Sequence, residues 1–145
     1  MKAERSRAVD VLEEAIVEAQ RIDLSDPDRA RAMFAVATRF VTIDGARSWE
    51  VMGDAVKAAN SAEKFTGEDA SIRFFPVALK SGGTFETTKD EDFGITNVLR
   101  LLAKDDLYRS MDVAKSFKKD GPRAIAILAI AGATLDKSGA KNREQ

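Results

Sequence analysis

Residues 29–37 read RARAMFAVA, and residues 123–131 read RAIAILAIA. The arginine and four alanines are identical, and three further positions pair methionine with isoleucine, phenylalanine with leucine and valine with isoleucine. Alanines at such short spacings let two helices approach closely, and the large residue beside each alanine fills the neighbouring hole. The two stretches therefore predict two closely packed helices of the same kind.

The residues that precede the two stretches also correspond. Residues 19–22 read AQRI and residues 114–117 read AKSF, and each is followed by a turn and then by a proline, Pro27 or Pro122. Proline is favoured at the first position of a helix, where its missing N–H costs no hydrogen bond. We therefore predict one helical hairpin that the chain uses twice. The alternative is a chance similarity between two alanine-rich helices.

Hydrophobic residues recur at spacings of three and four through most of the chain, which is typical of amphipathic helices. Short connections make such helices pack as antiparallel neighbours. The sequence thus predicts an all-α domain of antiparallel helical hairpins, stacked as a short α-solenoid or a bundle, over residues 1–136, with a polar tail at 137–145. The predicted helices cover about 4–22, 27–43, 46–63, 94–104, 107–117 and 122–135.

Residues 65–92 lose the helical period and contain a cluster of glycines, so we expect an irregular insertion here. Within it, residues 71–79 and 84–88 are rich in phenylalanine, valine, isoleucine and threonine. The glycine-containing turn between them would join two strands as a small β-hairpin. A loop without strands is the alternative.

Three phenylalanines of this insertion, Phe74, Phe75 and Phe85, are candidate contacts for a partner. Successive side chains of a strand point to opposite faces, so Phe74 and Phe75 cannot both point inward if the strand is regular. Exposed aromatic residues are good anchors for protein interfaces. The alternative is that the insertion lies across the helices and covers their ends.

The last predicted helix carries no charged residue between Ala124 and Leu135. A helix that is apolar all round is expected to be buried all round. Either it lies at the centre of the domain, or another repeat or subunit packs against it, which would predict self-association. Ile125 and Leu128 are therefore further candidate contacts for a partner.

The hairpin pattern, seen best from Val113 to Ala131 and more loosely from Glu18 to Ala37, resembles that of tetratricopeptide-like and HEAT-like helical repeat proteins, including uncharacterised bacterial ones. The resemblance covers about half of the chain and implies stacked hairpins that bind a protein or peptide. The chain lacks the regular 34-residue period, and Trp49 is not followed by the expected Leu-Gly. A peptide-binding groove is therefore not carried over to particular residues.

The sequence of 145 residues contains no cysteine and no histidine. This excludes thiol nucleophiles, imidazole bases and the commonest zinc ligands, so the composition argues against an enzyme. KSGGT at residues 80–84 lacks the spacing of a phosphate-binding loop, and the acidic run at residues 90–92 lacks that of a calcium loop. We expect no cofactor and no metal.

The formal net charge is -1, which gives no overall attraction for nucleic acid. No run of apolar residues approaches the length of a membrane span, and the N-terminus carries no recognisable signal peptide. The default expectation is therefore a cytoplasmic protein, although a fragment of a longer exported protein would read the same.

Taken together, these features predict a non-catalytic helical repeat domain that mediates protein–protein interaction or assembly. The alternative is a helical domain that binds a small ligand between its helices and uses residues 65–92 as a lid.

Overall fold

The computed structural model describes residues 1–67, 77–78, 84–85 and 93–141. These residues form an all-α fold with one very short pair of strands, which confirms the predicted fold class. The elements in chain order are α1 (Lys2–Arg21), α2 (Pro27–Ile43), α3 (Gly45–Ser61), β1 (Val77–Ala78), β2 (Thr84–Phe85), α4 (Ile95–Asp105), α5 (Leu107–Lys115) and α6 (Asp120–Lys141).

Aspartates mark the starts of three helices. The side chain of Asp26 accepts a hydrogen bond from the backbone N–H of Asp28 at the start of α2, where Pro27 is the first helical residue. Asp44 and Asp106 do the same at the starts of α3 and α5. Each such cap satisfies a backbone donor that the first turn of a helix leaves unpaired. These residues thus set the short connections that fold the chain into hairpins.

Helix α2 lies at the centre of the fold, where it packs against α1, α3 and α4. Its Phe34 is completely buried, with its ring centroid 5.8 Å from that of Phe65 and 6.3 Å from that of Phe117. Phe65 follows α3 and Phe117 follows α5, so this aromatic cluster joins the two halves of the chain. Helix α4 connects the second half, because it packs against α2, α5 and α6.

The two strands of the insertion pair in antiparallel fashion, with Val77 opposite Phe85 and Ala78 opposite Thr84. This pairing agrees with the predicted hairpin at these four residues. Phe74, Phe75 and most of the segment proposed as a lid lie outside the described residues, as does the side chain of Phe85.

Helix α6 begins two residues earlier and ends six residues later than predicted, at Asp120 and Lys141. Its extra C-terminal turns are held on α4. Arg100 Nη2 lies 2.7 Å from Asp136 Oδ2, and Lys137 Nζ donates to the carbonyl oxygen of Lys104 at 3.0 Å. Helix α6 therefore continues into the segment predicted as a polar tail, as far as Lys141. Residues 142–145 lie outside the described part of the chain.

In the part of the chain that the structure describes, no helix has both the length and the apolar character needed to cross a membrane.

Candidate interaction face on helix α6

The two related stretches have opposite environments in the fold. In α2, four positions of the stretch are buried and at most 2% exposed: Ala30, Met33, Phe34 and Ala37. The equivalent positions of α6 are all exposed: Ala124, Ile127, Leu128 and Ala131. Helix α2 has its most extensive packing with α3, and Ser48 of α3 donates a hydrogen bond to the carbonyl oxygen of Ala37 at 2.8 Å. Among the described residues, α6 has no helix in the corresponding place.

The exposed side of α6 forms an apolar ridge, which we define as Ala124, Leu128, Ala131 and Leu135. Their spacing of four, three and four residues places them on one side of a helix. Leu128 is 70% exposed and Leu135 is 71% exposed. Single exposed apolar side chains are common on protein surfaces, but a group of large ones lying together is uncommon on a monomeric protein.

The described chain by itself therefore does not bury α6 all round, and the alternative that places this helix at the centre of the domain is wrong. Only the side that faces α4 and α5 is buried: Ala126, Ala129, Ile130 and Ala133. The reason is position, because α6 packs against α4 and α5 and lies at the edge of the described helices rather than at their centre.

A groove of about 460 Å³ lies between α5 and α6, on one side of the ridge. Its lining is almost entirely apolar: Leu107, Tyr108, Met111, Ile127, Ile130, Ala131, Thr134 and Leu135. Tyr108 is 83% exposed at its rim. The hydroxyl of Thr134 donates back to the carbonyl oxygen of Ile130 at 3.0 Å, so it is already used within the helix.

A second groove of about 280 Å³ lies between α4 and α6, on the other side of the ridge. Ile125 and Leu128, the two predicted contact residues of this helix, both line it. Ile125 is half-buried against the core, whereas Leu128 stands at the edge of the groove. The structure thus brings these two residues to one surface, together with Arg100 of α4.

Sequence reasoning missed several residues of this surface. Nine large hydrophobic residues are exposed among the described residues, and five of them belong to the ridge or its α5 groove: Leu107, Tyr108, Ile127, Leu128 and Leu135. The spacing that runs from Ala124 to Leu135 is the signal that identifies Leu135. No pattern in the sequence indicates Leu107 and Tyr108, because their exposure depends on how α5 lies beside α6.

Arginines at equivalent positions close the two hairpins in the same way. Arg123 donates through Nε to the carbonyl oxygen of Phe117 at 3.2 Å and through Nη2 to that of Lys118 at 3.1 Å. Arg29 donates through Nη1 to the carbonyl oxygens of Gln20 and Ile22, at 3.1 and 3.2 Å. Each arginine therefore satisfies backbone acceptors left at or beyond the end of the preceding helix. The two hairpins thus make similar contacts at this position, and one hairpin used twice stays a prediction.

Helix α3 braces the turn between α5 and α6. Asn60 donates to the carbonyl oxygen of Ser116 at 3.0 Å and accepts from the backbone N–H of Lys118 at 2.8 Å. Lys119 Nζ donates to the carbonyl oxygens of Ala62 and Glu63. These bonds fix the start of α6, and with it the direction in which the ridge points.

A cluster of three charged side chains joins α1 to α3. Arg47 Nε and Nη2 lie 2.7 and 2.8 Å from the two carboxylate oxygens of Glu13, and Nη1 lies 2.8 Å from Glu50 Oε2. The hydrogen bonds from Arg47 lower the pKa of Glu13, and the hydrogen bonds to Glu13 and Glu50 raise the pKa of Arg47. All three side chains are satisfied by one another, which indicates a structural rather than a catalytic cluster.

A polar depression lies between the α1–α2 turn and the end of α3, and two of its carboxylates form local hydrogen bonds. Asp23 accepts hydrogen bonds from the hydroxyl and the backbone N–H of Ser25, which lower the pKa of Asp23. Asp26 caps α2. No group of three or more acidic side chains in the described part of the chain is arranged to hold a metal ion.

Three comparisons with known proteins found no match, either to a family model, to a curated protein or to a solved structure.

Proposed function

We propose that this chain is a non-catalytic helical repeat domain that assembles with another protein through the ridge of α6 and its two flanking grooves. One observation carries the proposal. Three of the four ridge residues, Ala124, Leu128 and Ala131, repeat positions of α2 that are buried beneath α3 and its neighbours, yet on α6 they are open to water. A surface built like an internal helix contact is suited to receive a helix.

The physical driving force is the burial of apolar surface. Contiguous exposed apolar patches larger than a few hundred Å² are uncommon on monomeric proteins and mark interaction sites. Burial gains roughly 25 cal/mol per Å² before the costs of association. Leu128 and Leu135, both about 70% exposed, offer the largest gain on the ridge itself.

The groove between α5 and α6 favours a protein over a small ligand. Small-ligand sites combine an enclosed apolar cavity with a few converging polar groups that fix orientation. Here the lining is apolar, and the hydroxyl of Thr134 is bonded within its own helix. Apolar side chains projecting from a partner helix match such a lining better than a polar metabolite does.

The proposal is tested by affinity purification from the organism of origin with three forms of the tagged chain: wild type, Leu128→Asp and Val11→Asp. Val11 on α1 is 68% exposed and serves as the matched control, because the same charge is added at an equally open position. We expect the wild type and Val11→Asp to retain the same polypeptide, at a constant ratio to the tagged chain. Leu128→Asp should lose it. Retention unaffected by Leu128→Asp contradicts the proposal.

A further inference from the structure

We infer that the partner of the α6 ridge is a second copy of this chain, with the two α6 helices packed antiparallel to each other. This inference rests on the function proposed above and names its partner.

The evidence for an antiparallel arrangement is the order of large and small residues along the ridge. The ridge reads alanine, leucine, alanine and leucine at positions 124, 128, 131 and 135. When two antiparallel copies cross at the midpoint of this segment, Leu128 lies opposite Ala131 of the second copy and Leu135 lies opposite its Ala124. Every layer then pairs one large residue with one small residue, so the helices meet without voids or overlap.

A parallel arrangement fits less well, because it would place each residue opposite its own copy. Leu128 would face Leu128, and Ala131 would face Ala131, so crowded layers would alternate with hollow ones. Cavities and overpacked sites both destabilise a packed contact. The sequence of the ridge therefore selects one direction of pairing.

The exposed area is also close to that needed by a specific dimer. Together, the exposed surface of five residues equals that of about three fully exposed side chains: Leu107, Tyr108, Ile127, Leu128 and Leu135. At roughly 200 Å² for a fully exposed large side chain, this is roughly 600 Å² per copy. A standard interface buries about 800 Å² on each partner, and the ridge alanines supply part of the remainder.

The ridge also has no charge that would oppose pairing with its own copy in a two-fold symmetric dimer. In a symmetric pair the same patch is used by both subunits, so the patch must be complementary to itself. The segment from Ala124 to Leu135 carries no charged side chain, and pairing it with its own copy creates no like-charge contact. The flanking grooves lie on both sides of the ridge, where they can receive the side chains of the second copy.

The first test is sedimentation of the full chain at several concentrations. We expect a dimer for the wild type and for Val11→Asp, and a monomer for Leu128→Asp and for Ala131→Glu. The two ridge positions are exposed on the described chain, so these variants should keep the wild-type helical signal by circular dichroism. A wild-type monomer, or loss of the dimer in Val11→Asp as well, would overturn the inference.

The second test determines direction and register by disulfide formation, since the chain contains no cysteine of its own. With a rise of 1.5 Å per residue, two copies of position 131 are offset by about 4.5 Å along the axis, and two copies of position 124 by about 16 Å. Facing Cα atoms of two helices about 8 Å apart add roughly 3.5 Å sideways, so the Cα atoms of the two copies of position 131 are about 5.7 Å apart. Disulfides need Cα atoms about 4.4–6.8 Å apart. Ala131→Cys should cross-link with itself, and Ala124→Cys should cross-link only when mixed with Leu135→Cys. Self-linking of Ala124→Cys would mean a parallel pair and overturn the arrangement.

The same variants separate this inference from the proposed function. A monomeric wild type that retains a different polypeptide, lost with Leu128→Asp, keeps the function and rejects the second copy as partner. A monomeric wild type that retains nothing rejects both. If the protein is a monomer and the thiol of Ala131→Cys does not react with thiol reagents, another part of the same chain covers the ridge. This result also rejects the inference.

Discussion

Gly67 lies where the chain that follows α3 passes the start of α6, and among the described residues it alone has a positive φ, of 79°. A Cβ atom at this position would lie 2.9 Å from the Cα of Pro122 and within 3.3 Å of the side chains of Ile95 and Ile125. Backbone geometry and space both require glycine here. The close approach between the segment that follows α3 and the start of α6 therefore depends on this glycine.

We expect Gly67→Ala to lower the free energy of unfolding by about 1–3 kcal/mol, because a non-glycine residue is strained at this φ and its Cβ meets the backbone of Pro122. Urea unfolding followed by the fluorescence of Trp49, the single tryptophan of the chain, measures the change. Gly53→Ala is the control. Gly53 lies inside α3 with no atom near its missing Cβ, so alanine there should leave stability unchanged or raise it. Equal effects at the two sites would contradict this account.

The Glu13–Arg47 ion pair predicts a pH-dependent contribution to stability. Its hydrogen bonds lower the pKa of Glu13 below the usual value of 4.5, so the folded state holds the proton less well than the unfolded state. The contribution is therefore complete above about pH 4.5 and is lost as the pH falls through the lower pKa of the folded state. Both side chains are partly exposed, so the pair contributes at most about 1 kcal/mol.

Glu13→Gln should accordingly destabilise the chain at pH 7 by up to about 1 kcal/mol, and the difference from the wild type should vanish in strong acid. Urea titrations at pH 7 and at pH 3 measure it. Glu14→Gln, a change at the exposed neighbouring position, is the control and should have little effect at either pH. A loss that is the same at both values of pH would show that charge is not the cause.

At the scale of elements, the hairpin α5–α6 is held by contacts that come from outside it. Asn60 of α3 bonds both sides of the turn between α5 and α6, at Ser116 and Lys118. The guanidinium of Arg109 on α5 lies 4.5 Å from the centre of the ring of Trp49 on α3, and the indole N–H of Trp49 donates to Asp105 at the end of α4 at 3.3 Å. The ridge is thus displayed by a helix whose position depends on α3.

Asn60→Ala should cost about 1–2 kcal/mol, because it removes two hydrogen bonds and leaves their backbone partners at Ser116 and Lys118 without Asn60. Denaturant unfolding measures the cost, and amide hydrogen exchange should become faster at the α5–α6 turn. Ser61→Ala is the matched control, since Ser61 is exposed and bonds only within α3, to the carbonyl oxygen of Lys57. A cost for Ser61→Ala as large as that for Asn60→Ala would argue against the bracing role.

For α6, the sequence predicts that a helix forms but not where the helix ends. Pro122 and the apolar run predict a helix, and a helix is present. The expected end at Leu135 came from the change to polar residues. Helix formation continues because Asp136 and Lys137 find partners on α4 that no local pattern of α6 reveals.

For the whole molecule, the inferred dimer predicts that thermal stability depends on protein concentration. Association that favours the folded state raises the midpoint of unfolding as the concentration rises. We expect the wild type to show this dependence over a hundredfold range of concentration, and Leu128→Asp to show none. Differential scanning calorimetry of both proteins makes the comparison, and a wild-type midpoint that does not change with concentration would contradict the dimer.

The sequence by itself determined the helices and their caps, because these depend on local spacing and on aspartate and proline at helix starts. It also predicts one hairpin that the chain uses twice. It also indicated Leu128 and Ile125 through the absence of charged residues between Ala124 and Leu135. Only the tertiary structure decided which side of α6 is covered. Ala30 and Ala124 occupy equivalent positions in nearly the same local sequence, yet the first is buried and the second is open. Burial depends on which helices lie alongside. Helix α3 follows α2 directly and packs against it, whereas among the described residues no helix occupies the corresponding place on α6.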